Sequence, residues 1–285
     1  MEVTTNIPAL KAAQGIRSAD QIIARSSQRL STGLRVNSAA DDPGSIGAAN
    51  RLKTQAGSFS VVANNLAHGT ASLKVVDDTL TQMTNILSDM QVAATQAAAA
   101  DTSTTDGAAT FAAYQAAIYT YADQLDSLAN NAVWNETSLM NLTSSTDTLS
   151  IQSGITSSDT IDITLRKMTA SQLSVNYSST GTTIASTTAA ATAASDISTA
   201  LSTVASYQAE IGAYQNVMQA QGDLVANHIT TYSQAYGNIM NADMAQEAAN
   251  LAAAQIQRDS ATAMLAQANN LNKPLVDYLL QSSLR

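Results

Sequence analysis

A seven-residue repeat of apolar side chains runs through most of this sequence and limits the folds open to it. Side chains seven residues apart lie on one face of an α-helix, so such a repeat buries a continuous seam against partner helices. The first series of the repeat comprises Leu52, Phe59, Leu66, Leu73, Leu80, Leu87 and Ala94, with a companion line at Val62, Val76, Met83, Met90 and Ala97. This series predicts one helix of roughly 50 residues.

Two further series of the same spacing predict two more long helices. One runs from Phe111 to Ala132 and follows the turn-rich segment 101–107, so its helix is expected to fold back on the first. The other runs from Ile197 to Ile239. Asp42 followed by Pro43 predicts the start of the first helix, because Asp favours the N-cap and Pro the first helical position.

A short non-helical region separates the second and third long helices. Residues 149–151 and 161–165 alternate apolar and polar side chains, which is typical of a half-buried β-hairpin. We place this region at about 141–195 and expect its Ser/Thr-rich second half, residues 178–188, to be an exposed loop. The predicted fold class is mainly α: a long antiparallel helical bundle with a small β-hairpin region, plus a terminal two-helix coiled coil.

Both ends of the chain carry shorter versions of the repeat. Neither end alone offers enough apolar surface to offset an ordering entropy of roughly 1 to 2 kcal/mol per residue. We therefore expect each end to remain disordered until a partner helix covers it. The predicted packing residues are Ile16, Ile23 and Leu30 near the start and Met244, Leu251, Leu265 and Leu279 near the finish.

Composition argues against several functional classes. The net charge is −9, and the basic residues are scattered, which does not favour nucleic acid as a partner. The sequence has no cysteine, and His68 and His228 lack a second ligand at metal-binding spacing. No catalytic motif, cofactor or metal site is predicted, and neither a transmembrane helix nor a secretory signal is recognised.

Four motifs make the sequence resemble the bacterial flagellins. RLSTGLRVNSAADD at Arg29–Asp42 is similar to the family's N-terminal signature. IGAYQN at Ile211–Asn216, DMAQEA at Asp243–Ala248 and AMLAQAN at Ala263–Asn269 resemble further flagellin motifs in the family's order. The resemblance covers roughly residues 1–165 and 195–285.

The resemblance implies a structural subunit that polymerises into the flagellar filament used for swimming, and not an enzyme. It implies a terminal coiled-coil domain of residues 1–42 and 243–285, which forms the filament core, and a helical rod domain of residues 43–242. The outer domains of larger flagellins are expected to be absent, since only the short segment near residues 141–195 occupies their place. Two alternatives remain: a hook-filament junction protein of the same superfamily, or a flagellin-like cell-surface protein that binds a ligand.

The resemblance also implies where the protein acts and with what. Its expected location is outside the cell, after export through the flagellar type III apparatus without a cleaved signal peptide. Its expected partners are further copies of itself, a cytosolic chaperone for the C-terminal segment, the filament cap and the hook-junction proteins, with other flagellins as possible co-polymers. Membrane insertion and nucleic-acid binding are not expected.

One property of the family is predicted to be weak here. Many flagellins carry a segment of the pattern Arg-x-Arg-Glu-Leu-Ala-x-Gln, which animal innate-immune receptors recognise. This chain has DMQVAATQ instead, without either arginine or the leucine, so charge-assisted contacts worth about 1.5 to 3 kcal/mol each are lost. The altered segment includes Asp89, Met90, Gln91, Ala93 and Gln96.

Overall fold

The computed structural model describes residues 6–179 and 182–283, without the side chains of 271–283. This part of the chain folds mainly into α-helices, which confirms the predicted fold class. Its helices are α1 (Ile7–Thr32), α2 (Pro43–Ala99), α3 (Thr105–Asn131), α4 (Thr187–Met240) and α5 (Met244–Ser283). Its strands are β1 (Val133–Trp134), β2 (Thr137–Ser138), β3 (Thr146–Gln152) and β4 (Thr160–Arg166), paired as the antiparallel hairpins β1–β2 and β3–β4.

The main helix begins where the sequence predicts. Asp42 precedes α2, and its Oδ1 accepts a hydrogen bond of 3.0 Å from the backbone N–H of Ser45, which would otherwise lack a partner in the first turn. Pro43 is the first helical residue. The helix then continues for 57 residues, somewhat longer than the repeat predicts.

The chain divides into two compact units. The terminal unit comprises the residues up to Gln55 and those from Thr231 onward, and the central unit comprises Ala56–Thr230. Contacts at both ends of the terminal pair show that α1 and α5 run antiparallel, since Ser26 bonds to Glu247 and Asn6 to Ala268.

A backbone bridge anchors the connection between α1 and the start of α5. Gly33 ends α1 with a φ of 71°, a left-handed conformation that glycine adopts without strain. Leu34 forms an isolated bridge with Asn241, and the N–H of Ala242 donates to the Gly33 carbonyl at 2.9 Å. Val36, Ala49 and Met240 are buried together beside this bridge.

The central unit contains the large buried side chains that the repeat predicts. Leu73, Leu80 and Leu87 of α2 are fully buried, as are Ile197 and Val204 of α4. The two helices are antiparallel: the Phe59 and His228 rings stack at 4.9 Å, and the Gln208 amide donates to Asp77 at 3.0 Å. The spacing of apolar residues therefore identified this core correctly.

The region between α3 and α4 differs from the sequence-based expectation in two ways. Helix α4 begins at Thr187, so residues 187–195 are helical, consistent with the high helix propensity of their alanines. The described residues of the Ser/Thr-rich loop are mostly exposed, as expected, but Ile184 within it is buried. Its N–H donates to the Tyr119 hydroxyl at 3.1 Å, and its carbonyl accepts from Gln115 at 2.7 Å.

Candidate functional site: the paired terminal helices

Small side chains form the buried seam between α1 and α5. Gly15 of α1 faces Ala261 of α5, since a Cβ built on the glycine would lie in ordinary van der Waals contact, 3.5 Å from the Cβ of Ala261. Both buried series repeat every seven residues along part of their length, which is the spacing of a coiled-coil seam. The buried residues are Ala12, Ala19 and Ser26 on α1, and Glu247, Ala254 and Ala268 on α5.

The predicted packing residues flank this seam. Ile16, Ile23 and Leu30 are half-buried on α1, and Leu251 and Leu265 are half-buried on α5. Met244 is exposed, and the side chain of Leu279 lies outside the described residues. The pair thus brings five of the seven residues to the margins of its seam, and their role in filament packing stays a prediction.

Both helices also present large apolar side chains to solvent. Ile7 and Leu10 of α1 are 55% and 60% exposed, and Ile256 and Met264 of α5 are 68% and 65% exposed. Exposed apolar residues that accumulate on one pair of helices commonly mark an interaction surface. The seam therefore leaves much of the apolar surface of the pair uncovered.

A buried carboxylate lies within the small-residue seam. Glu247 accepts a hydrogen bond from the Ser26 hydroxyl at 2.8 Å and one from the Arg29 guanidinium at 2.7 Å. The Arg29 hydrogen bond, followed by that of Ser26, lowers the pKa of Glu247 below its ordinary value of 4.5. Both of these partners belong to α1, and Asn250 of α5 is a further hydrogen-bond partner, so helix pairing supplies part of the hydrogen bonding of the carboxylate.

Sequence reasoning missed this cluster because it followed large apolar residues. The available signal was positional: Ser26 continues the seven-residue spacing of Ala12 and Ala19, and Glu247 precedes Ala254 at the same spacing. A polar residue within such a series is a candidate for a buried partner across the seam.

Comparison with known proteins identifies the family. A family model described as the bacterial flagellin N-terminal helical region matches residues 3–145, and one described as the C-terminal helical region matches residues 194–279. The chain belongs to the bacterial flagellins. Together the two matches include all of the described α1 and all but the end of α5, so the paired terminal helices lie within the family's shared regions.

Relatives over the full length support this assignment. A flagellin of Listeria innocua is 24% identical over 98% of this chain and 99% of its own length. A flagellin of Bacillus subtilis is 25% identical over 98% of this chain and 100% of its own length. A B-type flagellin of Pseudomonas aeruginosa is 30% identical, over 61% of this chain and 34% of its own length. The protein is accordingly a structural subunit of a flagellar filament.

The altered immune-receptor segment lies on α2. Asp89 and Gln96 are exposed, Met90 and Ala93 are buried, and Gln91 is half-buried. The Gln91 side-chain carbonyl is buried without a hydrogen-bond partner. The outward face of the segment therefore carries a carboxylate at residue 89.

The two histidines have aromatic neighbours instead of the partners that a metal site needs. His68 lies 6.5 Å from the Trp134 ring and lines a cavity of about 250 Å³ with Leu149 and Leu165. His228 stacks on Phe59. Among the side chains that the structure describes, no cluster of three or more His, Cys, Asp or Glu suits a metal ion, and none of the described helices is long and apolar enough for a membrane span.

Proposed function

We propose that the α1–α5 pair supplies the contacts through which copies of this chain pack in the filament core. The observation that supports this proposal is the exposed apolar surface on both helices, at Ile7 and Leu10 of α1 and at Ile256 and Met264 of α5. Burying such side chains between copies contributes roughly 1.5 to 3 kcal/mol for each large residue fully covered. The proposed terminal domain comprises residues 1–42 and 243–285, and the rod domain comprises residues 43–242.

The half-buried residues of the seam margin would complete this packing. Ile16, Ile23 and Leu30 of α1, with Leu251 and Leu265 of α5, each retain surface that a neighbouring copy can cover. Met244 and Leu279 belong to the same proposed set. Contacts between different surfaces of successive copies need not close into a ring, so they generate an open helical polymer.

A pair of matched substitutions on α5 tests the proposed surface. Ile256→Ser together with Met264→Ser should reduce polymer yield in a seeded polymerisation assay, measured by sedimentation and electron microscopy. The control is Gln257→Ser on the same helix, which removes no apolar surface and should polymerise like the parent. Polymer yield equal to the parent in the double variant would contradict the proposal.

A deletion tests the terminal domain as a whole. Removing residues 1–30 should abolish polymerisation. The central unit should still unfold as in the parent, as followed by the fluorescence of Trp134, which lies in that unit. Filaments formed by the deleted protein would exclude a required role for α1.

We also propose that the protein reaches the filament by flagellar type III export without a cleaved signal peptide, with a chaperone holding its C-terminal segment beforehand. The filament cap and hook-junction proteins are its further proposed partners, and its role is structural without catalysis. Secretion of the chain by cells with an intact export apparatus, and its retention when that apparatus is deleted, would support this route. Secretion in both strains would contradict it.

We also propose that innate-immune receptors detect this protein only weakly. Asp89 is exposed where the family pattern has a cation, so it would repel an acidic partner that an arginine attracts. The variant Asp89→Arg with Gln91→Arg should raise the response of receptor-expressing reporter cells above that of the parent. A parental response equal to that of an enteric flagellin would refute the proposal.

A further inference from the structure

We propose that a cavity in the central unit binds a guanidinium group, such as that of an arginine side chain. The cavity has a volume of about 250 Å³ and lies between α2 and the two hairpins. Pockets for drug-sized ligands have volumes of roughly 300 to 1,000 Å³, so this smaller cavity suits a single side chain or a molecule of similar size. All of its lining residues belong to the central unit, so the site does not require the pairing of α1 with α5.

A carboxylate lies beside apolar side chains on the inner face of the β3–β4 hairpin. Alternate residues of a strand point to the same face, so Asp147 shares a face with Leu149 and Ile151. This face is turned toward α2, since Ile151 Cγ1 lies 3.2 Å from a Cβ built on Gly69. Leu165 is the partner of Asp147 in the hairpin and also lines the cavity. The hairpin therefore supplies one negative charge and an apolar wall.

An aromatic side chain forms another part of the cavity wall. Trp134 of β1 is half-buried and lines the cavity. The His68 ring lies 6.5 Å from the Trp134 ring at an interplanar angle of 53°, so the imidazole does not stack flat on the indole. The face of an indole ring attracts cations more strongly than that of any other aromatic side chain. Trp134 and Asp147 therefore favour the same kind of ligand, a cation.

The polar groups of the cavity offer acceptors to the N–H groups of such a ligand. Asp147 Oδ1 accepts a hydrogen bond of 2.8 Å from the backbone N–H of Thr148, and no described residue donates to its Oδ2. The Ser72 hydroxyl donates to the Gly69 carbonyl at 2.7 Å, which leaves its oxygen able to accept. No lysine or arginine is among the described lining residues, so the cavity has no permanent cation of its own beside Asp147.

These features favour a guanidinium over other groups of similar size. An anion would meet the Asp147 carboxylate, and an uncharged group would gain no attraction from it. An ammonium ion is more strongly hydrated and lacks the flat surface that stacks on an aromatic ring. An arginine side chain can stack on Trp134, donate to Asp147 and place its methylene groups against Leu149.

A wider surface depression gives access to the cavity. It has a volume of about 490 Å³ and shares His68, Trp134 and Asn135 with the cavity. His68 and Asn135 are exposed. We therefore place the entrance at these three residues. An arginine of a second copy or a free guanidinium compound can enter there.

The fluorescence of Trp134 tests the site directly, because this is the only tryptophan of the chain. The full-length monomer is titrated with N-acetylarginine amide and, separately, with N-acetylcitrulline amide at constant ionic strength. Citrulline keeps the shape of arginine and replaces the guanidinium with an uncharged urea group. The arginine compound should give a saturable fluorescence change with a Kd about tenfold lower than that of the citrulline compound, because only the guanidinium forms the ion pair and the cation–π contact.

Two matched variants of the β3–β4 hairpin assign the binding to the cavity. Asp147→Asn removes the charge, retains a carbonyl oxygen for the Thr148 N–H, and should weaken binding of the arginine compound about fivefold. Asp162→Asn removes a carboxylate from the opposite face of the same hairpin and should bind like the parent. Urea unfolding followed by Trp134 fluorescence checks that both variants keep the parental fold.

Equal titration curves for the arginine and citrulline compounds would overturn the proposal, as would arginine binding that Asp147→Asn leaves unchanged. Seeded polymerisation then identifies the source of the guanidinium. A lower polymer yield for Asp147→Asn than for Asp162→Asn would assign it to an arginine of a neighbouring copy, and equal yields would assign it to a free compound. The Ile256→Ser and Met264→Ser protein keeps the cavity, so its polymer yield decides the proposed packing surface independently.

Discussion

The terminal helix pair and the central unit bury different kinds of side chain. In the central unit, leucine, isoleucine and methionine fill the space between helices, as at Leu80 and Met83. In the terminal pair, alanine, serine and one glutamate fill it, and large apolar residues remain outside. A fully buried leucine contributes roughly 1.5 to 3 kcal/mol and one methyl group about 0.8 kcal/mol, so folding stability is expected to reside mainly in the central unit.

This difference suits a subunit that must fold and also polymerise. A core of large side chains can form within one chain, whereas a close-packed seam of small side chains leaves larger ones available to neighbours. The terminal pair therefore combines a weaker interface between its two helices with an outer surface on which apolar side chains are exposed.

The largest expected effect is at the centre of the α2 core. Leu80→Ala removes a fully buried side chain and should lower the free energy of unfolding by about 2 to 5 kcal/mol. Urea unfolding followed by Trp134 fluorescence measures it, since this is the only tryptophan and lies in the central unit. Ile16→Ala, at a half-buried site of the terminal pair, should change the same transition by less than about 0.5 kcal/mol. Equal shifts for the two variants would remove the contrast.

A second effect concerns alkaline pH in the central unit. Burial raises the pKa of Tyr207 to about 12 from an ordinary value of 10.0, and its hydroxyl accepts a hydrogen bond from the Arg166 N–H at 3.1 Å. The folded state therefore keeps a proton that the unfolded state loses between these values. Its contribution to stability is present below pH 10 and falls as the pH rises toward 12, by roughly 1 to 3 kcal/mol.

Urea unfolding at pH 9 and pH 11, followed by Trp134 fluorescence, checks this pH dependence. Tyr207→Phe cannot ionise and should lose less stability over the interval than the parent. Tyr177, whose pKa burial also raises, would keep part of the alkaline loss in that variant. An unchanged difference between the two pH values in Tyr207→Phe would exclude Tyr207 as a source of the effect.

A third effect concerns the closeness of helix packing in the central unit. A Cβ on Gly69 would overlap with Met218 Cε and lie 3.2 Å from Ile151 Cγ1. Gly69→Ala should lower the free energy of unfolding by about 1 kcal/mol, since the methionine end can move but the surrounding core resists. Gly222→Ala on α4 meets no atom within 4 Å and should instead stabilise by up to about 1 kcal/mol. Stabilisation by both variants in the same urea assay would show that the core is loosely packed there.

The sequence predicted the central core better than the terminal seam for a physical reason. Large apolar side chains rarely recur every seven residues unless they are buried, so this spacing predicts the buried helix face formed by Leu73, Leu80 and Leu87. Alanine is common on both buried and exposed helix faces, so Ala12 and Ala19 carry little information about orientation. Glu247 looks like a solvated residue until its partners on α1 are known.

Isolated contacts were also beyond the sequence pattern. Ile184 is a single apolar residue within a Ser/Thr-rich segment, and no periodicity marks it as buried. Its backbone accepts a hydrogen bond from Gln115 and donates one to Tyr119, which belong to a helix more than sixty residues away in the chain. Long-range polar contacts of this kind become visible only in the folded structure.

The smallest expected effect tests whether the central unit depends on its core or on ideal local geometry. The turn between β1 and β2 places Asn135 at a φ of 48° and Glu136 at 65°. A two-residue hairpin with positive φ at both positions favours Asn followed by Gly, because a side chain at the second position is strained. Glu136→Gly should therefore raise the free energy of unfolding by up to about 1 kcal/mol, relieving the strain of a left-handed non-glycine residue.

Glu136→Ala is the matched control, because it removes the carboxylate and retains the Cβ that causes the strain. It should change the Trp134 unfolding transition by less than Glu136→Gly does. Equal stabilisation by both substitutions would assign the effect to charge instead of backbone conformation. A stabilisation by Glu136→Gly as large as the loss in Leu80→Ala would mean that the turn, and not the apolar core, limits the stability of the central unit.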